Sequence, residues 1–327
     1  MRTRRLGRHG PEVSALGLGC LSFGGIFGPT TEADSFRTLD AAWDAGITFL
    51  DVANIYGKGL CETVMGKWLG TRRHRPVIAT KAGIVEGPPR GVDNSEAYLR
   101  AELEGSLRRL GIDHVDLFYA HRHDPRIPAE DLAGTMQRLQ DEGKIGGYGL
   151  SEIAPYTLER AHAVHPVTAV QNEYSLWTRQ PELGLIQRCA TLGVAFVPFS
   201  PLARGAFGTP MADPAIFPEA EFRTRIPRFY PGNWPHNRAR LQAFHDYARA
   251  RGITPAALAL AWLLDRGHHI IPIPGTRTAE HLADWLAAPE IDLDDEDRAT
   301  IERLLPVGWA WGDRYDDPQS ATAERYC

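Results

Sequence analysis

Apolar, strand-like runs alternate with helix-periodic segments along almost the whole chain, and strict alternation of this kind demands a parallel sheet with helical crossovers. The strand-like runs are LGLGC (16–20), TFLDVA (48–53), VIATKAG (77–83), VDLFYAH (115–121), GGYGLS (146–151), AVQNEY (169–174), AFVPFS (195–200) and IIPIPG (270–275). Helical patterns occupy 31–46, 61–70, 95–111, 129–143, 156–164 and 182–193, and a mostly apolar one at 253–267 reads as a buried helix. Thr31, Ser95 and Thr254 are placed to cap orphan amides, while Gly46, Gly70, Gly111, Gly143 and Gly193 suit the position just past a helix end. Eight units at this spacing favour a closed (β/α)8 TIM barrel over an open doubly wound sheet.

A barrel takes about 250 residues, so a chain of 327 has a surplus to place. RRLGRHGPEVS near the start suits a hairpin that plugs the barrel floor. The stretch from Pro201 to about Pro235 is rich in proline, glycine and aromatics without periodicity, and reads as a long loop or lid. The tail from Pro306 to Cys327 is likewise irregular. The expectation is a single α/β domain over 1–327: a barrel with an N-terminal hairpin, a long loop after strand 7 and a C-terminal tail over the top.

Charged residues make up 24% and the net charge is −5, which gives no reason to expect a nucleic-acid partner. Cys20, Cys61, Cys189 and Cys327 lie far apart with no CxxC pair, which argues against a disulfide framework or a zinc ribbon and for a reduced, cytoplasmic setting. The opening MRTRRLGRHG has twin arginines, but Pro11 and Glu12 come next and no uninterrupted apolar region follows, so export is not expected. No run approaches the ~18 apolar residues of a spanning helix, so no membrane is expected.

Barrel enzymes place their chemistry at the C-terminal ends of the strands. Here those ends carry Asp51, Lys81, His121, Ser151, Gln171 and Ser200, and Tyr56 follows Asp51 in a turn-like segment. One buried polar group would be unremarkable, but six consecutive strands delivering one to the same end point to a site. A phenol, with a pKa of about 10, needs a shift of about 3 units, or ~4 kcal/mol, to serve as acid or base near neutrality. An ammonium about 4 Å away is worth ~4 kcal/mol at an effective dielectric of 20, so Lys81 suffices in magnitude. Asp51 keeps that lysine charged, and His121 adds a donor to orient a carbonyl oxygen. The set reads as a carbonyl reduction site in which Tyr56 protonates the oxygen. No side chain supplies a hydride, so a nicotinamide cofactor is implied.

With these residues in place, the chain resembles the aldo-keto reductase superfamily over nearly all its length. GITFLDVANIYG is similar to the family's GxxxxDTAxxYG signature, with Val52 where threonine is usual, and VIATKAG and VDLFYAHRHDP carry the family lysine and histidine at Lys81 and His121. YGLSE resembles the carboxamide site at Ser151, with Glu152 where asparagine is common, and VQNEYS carries the family glutamine, Gln171. In FVPFSPLARG the resemblance implies that Phe199 stacks on nicotinamide and that Ser200, Leu202 and Arg204 hold the pyrophosphate. It further implies that IPIPGTRTAEHLADWLAA takes the adenosine phosphate through Thr276 and Arg277. His281 stands where an arginine often binds the 2′-phosphate, and Trp285 where an asparagine often meets adenine. The implied enzyme interconverts an aldehyde or ketone, a sugar or other hydroxylated carbonyl among them, with its alcohol, using NADP(H) in preference to NAD(H). Two rivals are a cofactor-sensing subunit of a larger assembly and a Schiff-base lyase using Lys81. The latter wants an uncharged lysine, against which Asp51 argues.

Other features have plainer readings. GLGCLSFGG (17–25) is not a GxGxxG fingerprint, and Gly19 serves either close approach to the nicotinamide or turn geometry. Phe23, Phe27, Trp309 and Trp311 are candidates for the substrate pocket, with apolar packing as the alternative. Arg223, Arg225, Arg228 and Phe229 are candidates for a cofactor clamp, with solvated loop charge as the alternative. His162 with His165, and His268 with His269, lack a carboxylate at metal spacing, and read as surface histidines with no metal implied.

Overall fold

The computed structural model describes residues 1–73, 75–87, 91–219 and 221–326; Cys327 lies outside them. The chain opens with an antiparallel hairpin of β1 (Thr3–Arg5) and β2 (Glu12–Ser14). A parallel sheet follows, built from β3 (Leu18–Gly19), β4 (Phe49–Asp51) and β5 (Val77–Ala82). A small hairpin of β6 (Ile84–Val85) and β7 (Gly91–Val92) sits at the exit of β5. The sheet continues with β8 (Leu117–Ala120), β9 (Tyr148–Ser151), β10 (Ala169–Gln171) and β11 (Ala195–Phe196). Each of these seven strands pairs with the next in sequence, so the sheet curls steadily in one direction.

Residues 270–275 close it into a (β/α)8 barrel. The amides of Ile271 and Ile273 donate to the carbonyls of Phe196 and Pro198, at 2.8 and 3.1 Å. On the other side the amides of Gly17 and Gly19 donate to Pro272 and Pro274, both at 2.9 Å. Pro272 and Pro274 have no amide to return toward β3, so this seam lacks those two bonds, is bridged at Gly19 and Gly275, and leaves the eighth strand irregular. A side chain on Gly19 would bring its Cβ within 2.9 Å of the Ile273 carbonyl oxygen, so barrel closure accounts for this glycine.

Helices α1 (Glu32–Asp44), α2 (Leu60–Thr71), α3 (Glu96–Leu110), α4 (Ala129–Asp141), α5 (Pro155–Val164), α6 (Leu185–Leu192), α7 (Trp234–Ala250) and α8 (Pro255–Asp265) ring the sheet. The short α9 (Ala279–Ala283), α10 (Asp295–Leu304) and the short α11 (Asp317–Ser320) follow. Thr31 caps α1 in a reciprocal box with Asp34, and Thr254 caps α8 ahead of Pro255. Gly70 departs from expectation, since α2 runs through it to Thr71. The sequence reading also passed over α7 and α10.

Inward-facing residues of the strands, among them Phe49, Ala79, Leu117, Tyr119, Ala169, Ala195, Val197 and Ile271, fill the barrel as a packed core. Leu6 and Val13 of the hairpin join it from below, and Arg4 donates to the carbonyls of Leu264 (2.8 Å), Gly267 and Ile270 (both 2.6 Å), so the hairpin does plug the floor. Gly149 makes room for the Tyr119 ring, two of whose carbons would lie 2.3 Å from an added Cβ. Gly149→Ala is therefore expected to cost about 1–3 kcal/mol, read as a lower urea midpoint with unchanged slope.

The top is tied together by ions. Arg204 pairs with Glu173 through two bonds of 3.0 and 2.8 Å, and Arg314 of the tail bridges Glu152 and Glu173. Glu324 accepts from the Ala154 amide (2.7 Å) and the Thr157 hydroxyl (2.6 Å), which caps α5 from outside. The tail thus lies across the barrel top as an anchored strap.

Candidate active site

Four features bring Tyr56 beside Lys81. Asp51 ends β4, and Val52 and Asn54 then donate to the carbonyls of Ala79 and Lys81, at 2.9 and 3.1 Å. The chain turns, with the Tyr56 amide on the Ala53 carbonyl at 3.1 Å. Gly57 enters the left-handed region at φ 59°. Gly24 backs onto it so closely that a Cβ there would lie 2.8 Å from the Gly57 nitrogen. This backbone-to-backbone contact fixes the loop that carries the tyrosine.

Lys81 is wholly buried. Its ammonium donates to the Asp51 carboxylate and to the Val52 carbonyl, the latter at 2.9 Å, while Gln171 donates to the other Asp51 oxygen at 2.9 Å. The ammonium stands 5.2 Å from the centre of the Tyr56 ring and 5.8 Å from that of Tyr119. His121, also buried, meets the Tyr56 ring edge-on, with centroids 5.7 Å apart at 74°. The expected four residues are therefore together, and Tyr119 is a neighbour that sequence reasoning missed.

Burial works against the Lys81 ammonium, but Asp51 and Tyr56 outweigh it and raise the amine above its ordinary value. Burial pushes the Asp51 carboxyl up, with Lys81 and Gln171 pulling it back. The proton of the pair stays on the amine, the opposite of what a Schiff-base nucleophile needs. Tyr56 corrects an expectation: its phenol is raised, not lowered. Desolvation is the largest cause, Lys81 draws the phenol down, and Asp51 pushes it back up. A lysine already neutralised by a carboxylate cannot deliver the full pull of an isolated ammonium. Tyr56 is thus held as a proton-bearing phenol.

Among the expected cofactor residues, Ser151 is buried at the end of β9, and Phe199 and Leu202 are half-buried on the rim. Ser200, Ala203 and Arg204 hold left-handed backbone at φ 49°, 52° and 55°, conformations that non-glycine residues adopt at a cost. Successive turns of that kind make a concave cradle of amides suited to phosphate oxygens, so this segment fits a dinucleotide pyrophosphate. The Arg204 guanidinium, however, turns inward to Glu173. Thr276 is buried and bonds within its own turn, accepting from the Thr278 amide at 3.2 Å. Arg277 is half-buried against Gly28, and His281 is exposed in the first turn of α9. Trp285, 2% exposed, is a core residue.

Phe23 and Trp309 take the packing alternative. Both lie in the apolar core, and Trp309 donates to the Leu176 carbonyl at 2.7 Å. The loop arginines divide: Arg223 pairs with Glu221 beneath Phe217 and the buried Arg228 reaches the Thr178 hydroxyl at 2.6 Å, whereas Arg225 is exposed and pairs with Asp316 of the tail at 2.8 Å. His165 stacks on Tyr148 and His269 bonds to the Ile186 carbonyl at 3.1 Å, so these two are structural. Among the described residues no cluster suits a metal ion, and no helix is long and apolar enough to cross a membrane.

A sequence model of the aldo/keto reductase family matches residues 15–306. A probable aldo-keto reductase of Glycine max is 38% identical over 315 residues, covering 95% of this chain and 91% of that protein. Among solved structures, a glycerol dehydrogenase from Gluconobacter oxydans superposes with a TM-score of 0.85 at 27% identity, covering 96% of this chain and 98% of the other.

Proposed function

The chain belongs to the aldo/keto reductase family and is a nicotinamide-dependent oxidoreductase of carbonyl and alcohol groups; from that premise we propose that it reduces aldehydes or ketones with NADPH in preference to NADH, using Tyr56 as the proton donor. One observation carries this reading: a fully buried ammonium, neutralised by Asp51, lies against the ring of a tyrosine that His121 meets edge-on. The nicotinamide, when bound, supplies the hydride. Tyr56 gives its proton to the carbonyl oxygen, His121 orients that oxygen, and Lys81 steadies the phenolate left behind. Asp51 and Gln171 hold Lys81 in place. Ser151, Gln171 and Phe199 are assigned to the nicotinamide, the segment carrying Ser200, Leu202 and Arg204 to the pyrophosphate, and Thr276, Arg277 and His281 to the adenosine phosphate.

NADPH oxidation followed at 340 nm with a panel of aldehydes, ketones and sugars tests the proposal. Turnover with at least one carbonyl class, and a lower KM for NADPH than for NADH, is the expected result. Equal use of both cofactors removes the 2′-phosphate assignment, and tight NADPH binding without turnover on any carbonyl removes the enzyme reading in favour of a sensing subunit.

The state of Tyr56 fixes a pH dependence. A phenol raised above its usual value near 10 keeps its proton throughout the neutral range. Carbonyl reduction, which consumes that proton, is expected to keep a level kcat from neutrality into the alkaline range and to fall only as the phenol ionises. Alcohol oxidation, which needs the phenolate, should rise with pH over the same interval. Parallel profiles for the two directions would count against Tyr56 as the group that moves the proton.

A further inference from the structure

Arg122, the residue after His121, has no part in the proposal above. It is half-buried, and its guanidinium donates to the His121 carbonyl at 2.8 Å, to the Ser151 hydroxyl at 3.5 Å and to the Tyr315 hydroxyl at 3.4 Å. Its carbon lies 5.9 Å from the centre of the Phe199 ring. It therefore touches two residues assigned to the nicotinamide and one from the strap, and its charge reaches Tyr56, where it helps draw the phenol down.

Most arginines at the top have a counter-ion; among the described residues Arg122 has none, and neither has Arg228, whose guanidinium is taken up by the Thr178 hydroxyl and the Gly312 carbonyl. Arg204 has Glu173, Arg314 has Glu152 and Glu173, Arg223 has Glu221, and Arg225 has Asp316. The nearby Asp124 is engaged by Arg126 at 2.8 Å and by the Asn94 amide at 3.2 Å. Among the described residues no carboxylate lies within ion-pairing distance of Arg122. A guanidinium offers five N–H donors, and here its partners are three neutral oxygens, two of them at long range. A half-buried cation held this loosely beside the proposed chemistry is poised for an anionic guest, and a carboxylate matches its fork with two parallel bonds.

We infer that Arg122 anchors a carboxylate on the substrate, so that the preferred substrates are oxo acids, aldehydes or ketones carrying a carboxylate a short distance from the carbonyl. The inference rests on the reductase reading of the same site. The carbonyl oxygen lies between Tyr56 and His121 while the far end of the molecule meets Arg122. The long bonds to Ser151 and Tyr315 are the ones the guest displaces.

The test compares each acid with its own methyl ester: 4-oxobutanoate and 4-carboxybenzaldehyde, assayed on the full chain with saturating NADPH. The readout is the ratio of kcat/KM, acid over ester. The wild type is expected to favour the acids by about 10-fold or more, the worth of one charged hydrogen-bonded contact, with the difference falling mainly on KM. Arg122→Gln should collapse that ratio toward unity, and Arg122→Lys should restore part of it. NADPH affinity, from quenching of tryptophan fluorescence, is measured on each variant and confirms that each has folded. Equal ratios in the wild type overturn the inference. So does an Arg122→Gln variant that loses NADPH affinity while keeping its preference for the acid, which would place the guest anion on the cofactor. Absence of turnover on acids and esters alike overturns the reductase reading itself, and is told apart from the other outcomes by the missing ester activity.

Discussion

Tyr56→Phe is expected to lower kcat by about 10²-fold or more, the usual consequence of losing a general acid, while NADPH affinity stays essentially unchanged. The substitution removes one oxygen. The ring remains, and with it the contacts to the Lys81 ammonium at 5.2 Å and to His121 at 5.7 Å. The loop is held by main-chain bonds, Tyr56 to Ala53 at 3.1 Å and Cys61 to Tyr56 at 3.3 Å, so the variant has every reason to fold. Stopped-flow mixing of preformed variant and NADPH complex with aldehyde separates chemistry from binding. A comparable loss of both would show that Tyr56 is a structural residue.

Asp51→Asn should have the largest effect on stability. It changes almost no volume but leaves the Lys81 ammonium, fully enclosed, without the carboxylate that neutralises it. Breaking a buried pair on one side costs about 3–5 kcal/mol, which for a chain of this size corresponds to a fall in Tm of roughly 10 °C. The double variant Asp51→Leu with Lys81→Met removes both charges and should recover much of that loss, because a buried pair replaced by apolar groups is often neutral in stability. It should nonetheless remain inactive. Scanning calorimetry beside a turnover assay reads both quantities. Equal stability of Asp51→Asn and the wild type would mean that Lys81 sheds its proton on folding in the variant at little cost, and that the pair contributes little to the fold.

The barrel was legible because its strands announce themselves as apolar runs, and the site because each run ends in a polar group. What escaped did so for identifiable reasons. α10 carries its own start signal, Asp294 in a reciprocal cap with Asp297, but its first turn is three consecutive acids and its apolar residues are few. α7 begins with Trp234 and Pro235 inside an aromatic, proline-rich stretch that looked like loop, although Leu241, Phe244 and Ala248 repeat at helical spacing and are buried. The destinations of the loop arginines were beyond reach, since Arg204, Arg225 and Arg228 meet Glu173, Asp316 and Thr178 only through tertiary folding. Arg122 was hidden differently. It stands within VDLFYAHRHDP, and its contacts with Ser151, Tyr315 and Phe199, with no carboxylate among the described residues in reach, exist only in the folded chain.

The floor plug and the seam have a bearing on how the chain is made. Arg4 finds its acceptors at Leu264, Gly267 and Ile270, and β3 finds its last neighbour at Pro272 and Pro274. At roughly 5–20 residues per second, the first strands to leave the ribosome wait on the order of ten seconds to a minute for those partners. Throughout that time β3 presents an unpaired edge, the kind of surface that recruits other nascent chains. The hairpin cannot seal the floor any sooner. Synthesis halted before residue 270 would release an open sheet with its plug unmoored, so completion of this barrel is also the event that removes that edge from reach.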